Sequence, residues 1–109
     1  MDIEVGGMKL RVLNNIETEF EVCEGLNLLG RSCEDTDCNV LDLSPLDLEE
    51  KVSRRHAMIE RNGDILQIWD LGSLNGTFLN QGEKLQPDRQ YTLNSGDKII
   101  VGKTAFVLE

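Results

Sequence analysis

Residues 52–57 read VSRRHA and set Ser53, Arg54, Arg55 and the only histidine of the 109-residue chain, His56, in consecutive positions. Two chemistries are open to such a set: a nucleophilic serine with its base, or an anion held by the arginines. The first meets two objections, because no G-x-S-x-G elbow is present and a spacing of three puts Ser53 and His56 on different faces of an extended segment. The plainer expectation for His56 is a histidine at the edge of the core whose ring nitrogens satisfy backbone groups. For Arg54 and Arg55 it is a solvated pair.

Two other stretches carry unusual residues. Gly30-Arg31 sets one arginine inside residues 17–50, which otherwise hold eleven acids, so on charge alone a structural salt bridge is its expected fate. Gly72-Ser73-Leu74-Asn75-Gly76-Thr77 reads as a tight turn in which Gly76 can take positive φ. The Asn75 amide offers both donors and an acceptor, which suits it to grip the main chain of a bound peptide.

The elements that must position these residues are strands. In residues 17–22 the apolar Phe20 and Val22 alternate with glutamates, the pattern of a strand with one face in water. Similar runs predict strands at 9–13, 18–22, 27–30, 56–61, 65–70, 77–80, 90–93, 98–101 and 104–108. Turn signals separate them, and Asn62-Gly63 between two alternating runs predicts a two-residue hairpin turn. Ser44-Pro45 can start one short helical turn. Many short strands at even spacing predict an all-β antiparallel sandwich, in which loops gather at the ends of a rigid frame. The loops 31–39, 42–55 and 72–76 contain Arg31, Ser53, Arg54, Arg55, Leu74 and Asn75, with Gly30, His56 and Thr77 at their borders.

Composition narrows the functional classes. The length suits one domain over residues 1–109, with its core at about 8–108, and 39% hydrophobic with 28% charged residues is the balance of a globular chain. A net charge of -9 weighs against nucleic acid, whose binders present a basic stripe. There is no bilayer-spanning apolar run and no basic-then-apolar leader, so a cytoplasmic protein, or a piece of a longer chain, is expected, with no membrane contact. Cys23, Cys33 and Cys38 suit a reducing compartment. Cys33 and Cys38 with one histidine are too few ligands for a metal, although a regulatory disulfide beside Arg31 stays open. No P-loop is present either, so neither cofactor nor catalysis is expected.

Taken together, Gly-Arg, then Ser-Arg-Arg-His, then Asp-Leu-Gly-Ser-Leu-Asn-Gly-Thr-Phe-Leu-Asn, each about twenty residues after the last, resemble the forkhead-associated domain over nearly the whole chain, in the manner of its bacterial members. The resemblance implies a sandwich of about eleven strands that binds phosphothreonine in partner proteins through loops at one end. The implied partners are Ser/Thr kinases or their substrates, and the implied state is a monomeric signalling module without catalysis. Arg31 would pair with the phosphate, Ser53 would donate its hydroxyl and backbone N–H, and Arg54 would add a second positive contact. Asn75 would bond the peptide main chain, while Gly30, His56, Gly76 and Thr77 would shape the loops. Leu74 departs from the threonine or serine that many members carry there, and it can offer only its backbone to a phosphate. That departure keeps open phosphate-independent assembly on the same fold. The excess of acid further predicts that acid-rich ligands are disfavoured and that basic or apolar flanks are preferred.

Overall fold

The computed structural model of the chain describes residues 8–13, 18–31, 37–80 and 82–109. Period-two alternation becomes strands as expected. In β1 (Met8–Val12) and β2 (Glu19–Val22) the inward residues Leu10, Val12 and Val22 are buried while Glu19 and Glu21 face water. Phe20 packs edge-on against Phe106 at 6.1 Å between ring centroids. The frame continues through β3 (Gly25–Gly30), β4 (Asn39–Asp42), a 3₁₀ turn (Ser44–Leu46), β5 (Ala57–Asn62), β6 (Ile65–Asp70), β7 (Thr77–Leu79), β8 (Glu83–Lys84), β9 (Tyr91–Leu93), β10 (Lys98–Val101) and β11 (Thr104–Leu108).

These eleven strands form two sheets, one in the order β2-β1-β11-β10-β7-β8 and the other β4-β3-β5-β6-β9. Between them lies a core that includes Leu10, Leu29, Ile59, Ile68, Ile99, Val101 and Phe106, all fully buried. Burial of this kind stabilises by about 1.5–3 kcal/mol for each large aliphatic or phenyl side chain. The first and last strands are neighbours: the Lys9 amide donates to the Glu109 carbonyl and the Glu109 amide returns the bond to Lys9 at 2.8 Å.

Three details differ from the sequence-based expectation. Periodicity marks nine strands, and β4 and β8 are additional, the first carrying two apolar residues among polar ones and the second only two residues in all. The sandwich is not wholly antiparallel, because β3 and β4 run parallel with Leu28 opposite Val40 and Leu29 opposite Leu41. The β5–β6 hairpin forms, yet its turn is Gly63-Asp64 rather than Asn62-Gly63, since Asn62 pairs with Ile65. Gly63 alone takes positive φ (65°), the arrangement in which glycine occupies the first central position.

The register explains where the loops meet. Leu29 of β3, Ala57 of β5 and Asp70 of β6 lie opposite one another at one end of the five-stranded sheet. Arg31, the Ser53–His56 segment and the Leu71–Gly76 loop therefore all leave from that end. Among the described residues no helix is long and apolar enough to cross a membrane.

Candidate functional site

At this end the three loops surround a cleft of about 280 Å³ lined by Arg31, Glu50, Lys51, Val52, Ser53, Arg54, Leu74 and Asn75. Backbone bonds hold the walls together. The Arg31 amide is shared between the Ser53 and Arg54 carbonyls at 3.2 Å each, and the His56 amide reaches the Leu29 carbonyl at 3.0 Å. The Gly30 carbonyl accepts from Leu43 at 2.8 Å, which seats the strand end that presents Arg31.

Arg31 is partly exposed and directed by a buried acid. Its Nε donates to the Val52 carbonyl at 3.1 Å and lies 3.7 Å from Asp47 Oδ2. Asp47 in turn accepts the Lys51 amide at 2.8 Å and the Val52 amide at 2.9 Å. The salt bridge expected from charge alone is thus present, and it uses the Nε side of the guanidinium. Asp47 sets both the arginine and the loop beside it. Arg54 is exposed, and its guanidinium makes no hydrogen bond or ion pair with a described residue.

Ser53 and His56 meet, although an extended segment would separate them. The chain turns between them, so the Ser53 amide donates to His56 Nδ1 at 2.9 Å. His56 Nε2 lies 2.8 Å from the Gly76 carbonyl and must be the donor there, because a carbonyl can only accept. That assigns the neutral Nε2–H tautomer. Full burial pushes the His56 pKa below its ordinary value, against the opposing pull of the Gly76 carbonyl, Asp70 and Asp47. With its amide on His56, Ser53 has its hydroxyl left for a ligand; the backbone N–H expected to serve a phosphate is engaged inside the protein.

The Leu71–Gly76 loop is wound on Asp70, which is buried. Its Oδ2 accepts the Gly72 and Ser73 amides at 2.9 Å each, and its Oδ1 accepts the Ser73 hydroxyl at 2.6 Å and the Thr77 hydroxyl at 2.8 Å. Burial alone would raise the Asp70 pKa, but these four bonds outweigh it and hold the carboxyl below its ordinary value. Ser73 Oγ also accepts the Gly76 amide at 2.9 Å, and Gly76 takes a φ of 89°, open to glycine at little cost. Asn75 is exposed and donates to the Lys51 carbonyl at 2.8 Å, tying this loop to the opposite wall. One amide hydrogen and Oδ1 of Asn75 are left for a ligand. Leu74 stands 87% exposed at the rim.

The five residues expected at the site, Arg31, Ser53, Arg54, Leu74 and Asn75, thus line one cleft, and Gly30, His56, Gly76 and Thr77 lie beneath it. Sequence reasoning passed over Asp47, Asp70 and Ser73. Asp70 and Ser73 belong to the quoted Asp-Leu-Gly-Ser stretch, and an Asp followed two to three residues later by Gly and Ser is itself a signal for a carboxylate that folds a turn onto its side chain. Asp47 had no such signal among so many acids. Cys23 is exposed and Cys38 half-buried, whereas Cys33, and with it the suggested disulfide, lies outside the described residues. No group of three potential ligands among the described residues could hold a metal.

Known proteins share this fold. The oxoglutarate dehydrogenase inhibitor of Corynebacterium jeikeium is 46% identical over 56 residues, which is 51% of this chain but only 36% of that protein. Among solved structures, Mycobacterium tuberculosis EmbR in complex with a low-affinity phosphopeptide superposes with a TM-score of 0.73 at 29% identity, over 94% of this chain and 24% of EmbR. The FHA domain of human APLF in complex with an XRCC1 bisphospho peptide gives 0.71 at 27% identity, over 94% of this chain and 97% of that one. The family profile described as the FHA domain matches residues 27–102. The loops gathered around Arg31 and Ser53 are carried on a shared frame, and the chain belongs to the FHA domain family.

Proposed function

We propose that this chain is a phosphothreonine-dependent protein–protein interaction module, with Ser/Thr kinase substrates as its partners, acting in the cytoplasm and without catalysis. One observation carries the reading: Arg31, Ser53 and Arg54 converge on a single cleft, where His56 fastens the Ser53 loop to the Gly76 loop. A phosphothreonine brings a charge of roughly -1.5 to -2 and three acceptor oxygens, which planar guanidinium donors match well. In this reading Arg31 and Arg54 hold the phosphate, the Ser53 hydroxyl donates to one oxygen, and Asn75 fixes the peptide main chain. That similar structures were solved in complex with phosphopeptides supports it.

A second reading, phosphate-independent assembly on the same frame, has its own support. Leu74 offers the cleft no hydroxyl, and its side chain stands 87% exposed at the rim, an apolar group open to a partner. Isothermal titration against degenerate phosphothreonine, phosphoserine and unphosphorylated peptide pools separates the two. Binding confined to the phosphothreonine pool, with Arg31→Ala costing about 2–5 kcal/mol of affinity, is the expected result. Equal binding to all three pools would select the second reading.

A further inference from the structure

Three carboxylates stand within residues 47–50, and the fold uses two of them. Asp47 is buried under the amides of Lys51 and Val52 and beside Arg31. Glu49 pairs with Lys103 at 2.9 Å, outside the cleft lining. Glu50 is different. It is exposed, it lines the cleft together with Arg31, Lys51 and Arg54, and its carboxylate makes no hydrogen bond or ion pair with a described residue.

Two costs attach to glutamate at this position. Its backbone sits at a φ of 53°, in the left-handed region that suits glycine or asparagine and strains other residues. Its charge also has the sign of a phosphate that the same cleft would hold, so the two repel at short range. A strained conformation at a binding rim points to a role there. The role that turns the repulsion to use is recognition of a cation on the same ligand.

We infer that Glu50 is a specificity-determining residue that selects phosphothreonine peptides bearing a lysine or arginine within two residues of the phosphothreonine; this rests on the phosphothreonine reading above. The ligand is then dipolar, its phosphate on Arg31, Ser53 and Arg54 and its cation on Glu50. The placement agrees with the main-chain contact assigned to Asn75, because the Asn75 amide is bonded to the Lys51 carbonyl, one residue from Glu50. An extended peptide advances about 3.3 Å per residue, so a long basic side chain one or two positions along reaches the rim. The net charge of -9 favours the same ligands at longer range, but it cannot say which carboxylate reads them.

Fluorescence anisotropy with one phosphothreonine core flanked by lysine, alanine or glutamate, plus the unphosphorylated lysine peptide, tests this. The proteins are the parent, Glu50→Gln, Glu50→Gly and Glu49→Gln. Glu50→Gly accepts the left-handed backbone without strain, so it separates loss of charge from distortion of the loop. The parent should bind the lysine-flanked phosphopeptide about three- to fivefold tighter than the alanine-flanked one, the range of an exposed ion pair. Both Glu50 variants should bring that ratio to about one, and Glu49→Gln, with the same change in net charge, should keep it. A ratio that survives in the Glu50 variants, or that is lost equally in Glu49→Gln, overturns the inference while leaving phosphate binding in place. Equal binding of the phosphorylated and unphosphorylated lysine peptides overturns the phosphothreonine reading and the role of Glu50 together.

Discussion

The Leu74 amide donates to the Ser53 hydroxyl oxygen at 3.0 Å, joining two loops whose residues are 21 apart in sequence. The bond occupies a lone pair of the serine and leaves its hydrogen for an acceptor in the cleft. Leu74 thereby helps to aim Ser53 with its backbone, while its side chain adds nothing polar. Leu74→Thr keeps the amide bond and adds a hydroxyl at the rim. It should raise phosphopeptide affinity about three- to tenfold, the net worth of one ordinary hydrogen bond. Titration of parent and variant with the same phosphothreonine peptide checks it, and unchanged affinity would show that the rim hydroxyl does not reach the phosphate.

Asp70→Asn keeps the shape of the loop support but turns one acceptor oxygen into a donor amide. Its amide oxygen can keep the Gly72 and Ser73 amides, but the Ser73 and Thr77 hydroxyls must turn to accept from its NH2, and the charge that strengthens all four bonds is lost. Stability should fall by about 2–4 kcal/mol, read from urea unfolding.

The same residue has a pH signature. Because the folded state holds its pKa below the ordinary 3.8, the Asp70 contribution is full above that value and is lost as pH falls through the lower folded pKa. The urea midpoint of the parent should therefore drop in acid more steeply than that of Asp70→Asn.

His56 predicts a second slope in a different window. Burial lowers its folded pKa from 6.5, so the unfolded chain binds the proton more readily. Its contribution is complete above about pH 6.5 and declines as pH falls below it. Protonation at Nδ1 would also set two N–H groups against each other, one from the ring and one from Ser53. His56 is the only histidine, so a fall in the urea midpoint between pH 7 and 5 that disappears in His56→Gln would be its own.

Gly102 lies in the β10–β11 turn at a φ of 63°, and a Cβ there would come within 2.9 Å of Val52 Cγ2 and 3.0 Å of the Lys51 carbonyl carbon. Gly102→Ala strains the turn and pushes on the backbone that forms the cleft wall. Stability should fall by about 1–3 kcal/mol, and phosphopeptide affinity should fall with it although Gly102 does not line the cleft. Thermal unfolding and titration of the same preparation read both effects.

Much of the frame was legible because alternation reports burial on one face directly. Phe20 and Val22 against Glu19 and Glu21 are enough to orient β2. The strand β4 was not legible, since Asn39-Val40-Leu41-Asp42 lies in an acidic span and its parallel pairing with β3 is a tertiary contact that no local pattern encodes. The cleft residues were legible as a group through their spacing. Their supports were less so: Asp47 acts through contacts with Arg31, Lys51 and Val52 that no periodicity encodes, and the sharp turn that brings Ser53 to His56 overrode the extended geometry assumed for that segment.

The pairing of β1 with β11 has a consequence for how such a unit can be carried. Lys9 and Glu109 sit side by side, and with them the Gly63-Asp64 turn and the Asn94–Asp97 turn mark the end opposite the cleft. The start of β1 and the end of β11 thus lie together at the far end, the geometry that suits a unit set into a surface loop of a host protein as a cassette. The reading face would then point away from whatever tethers it.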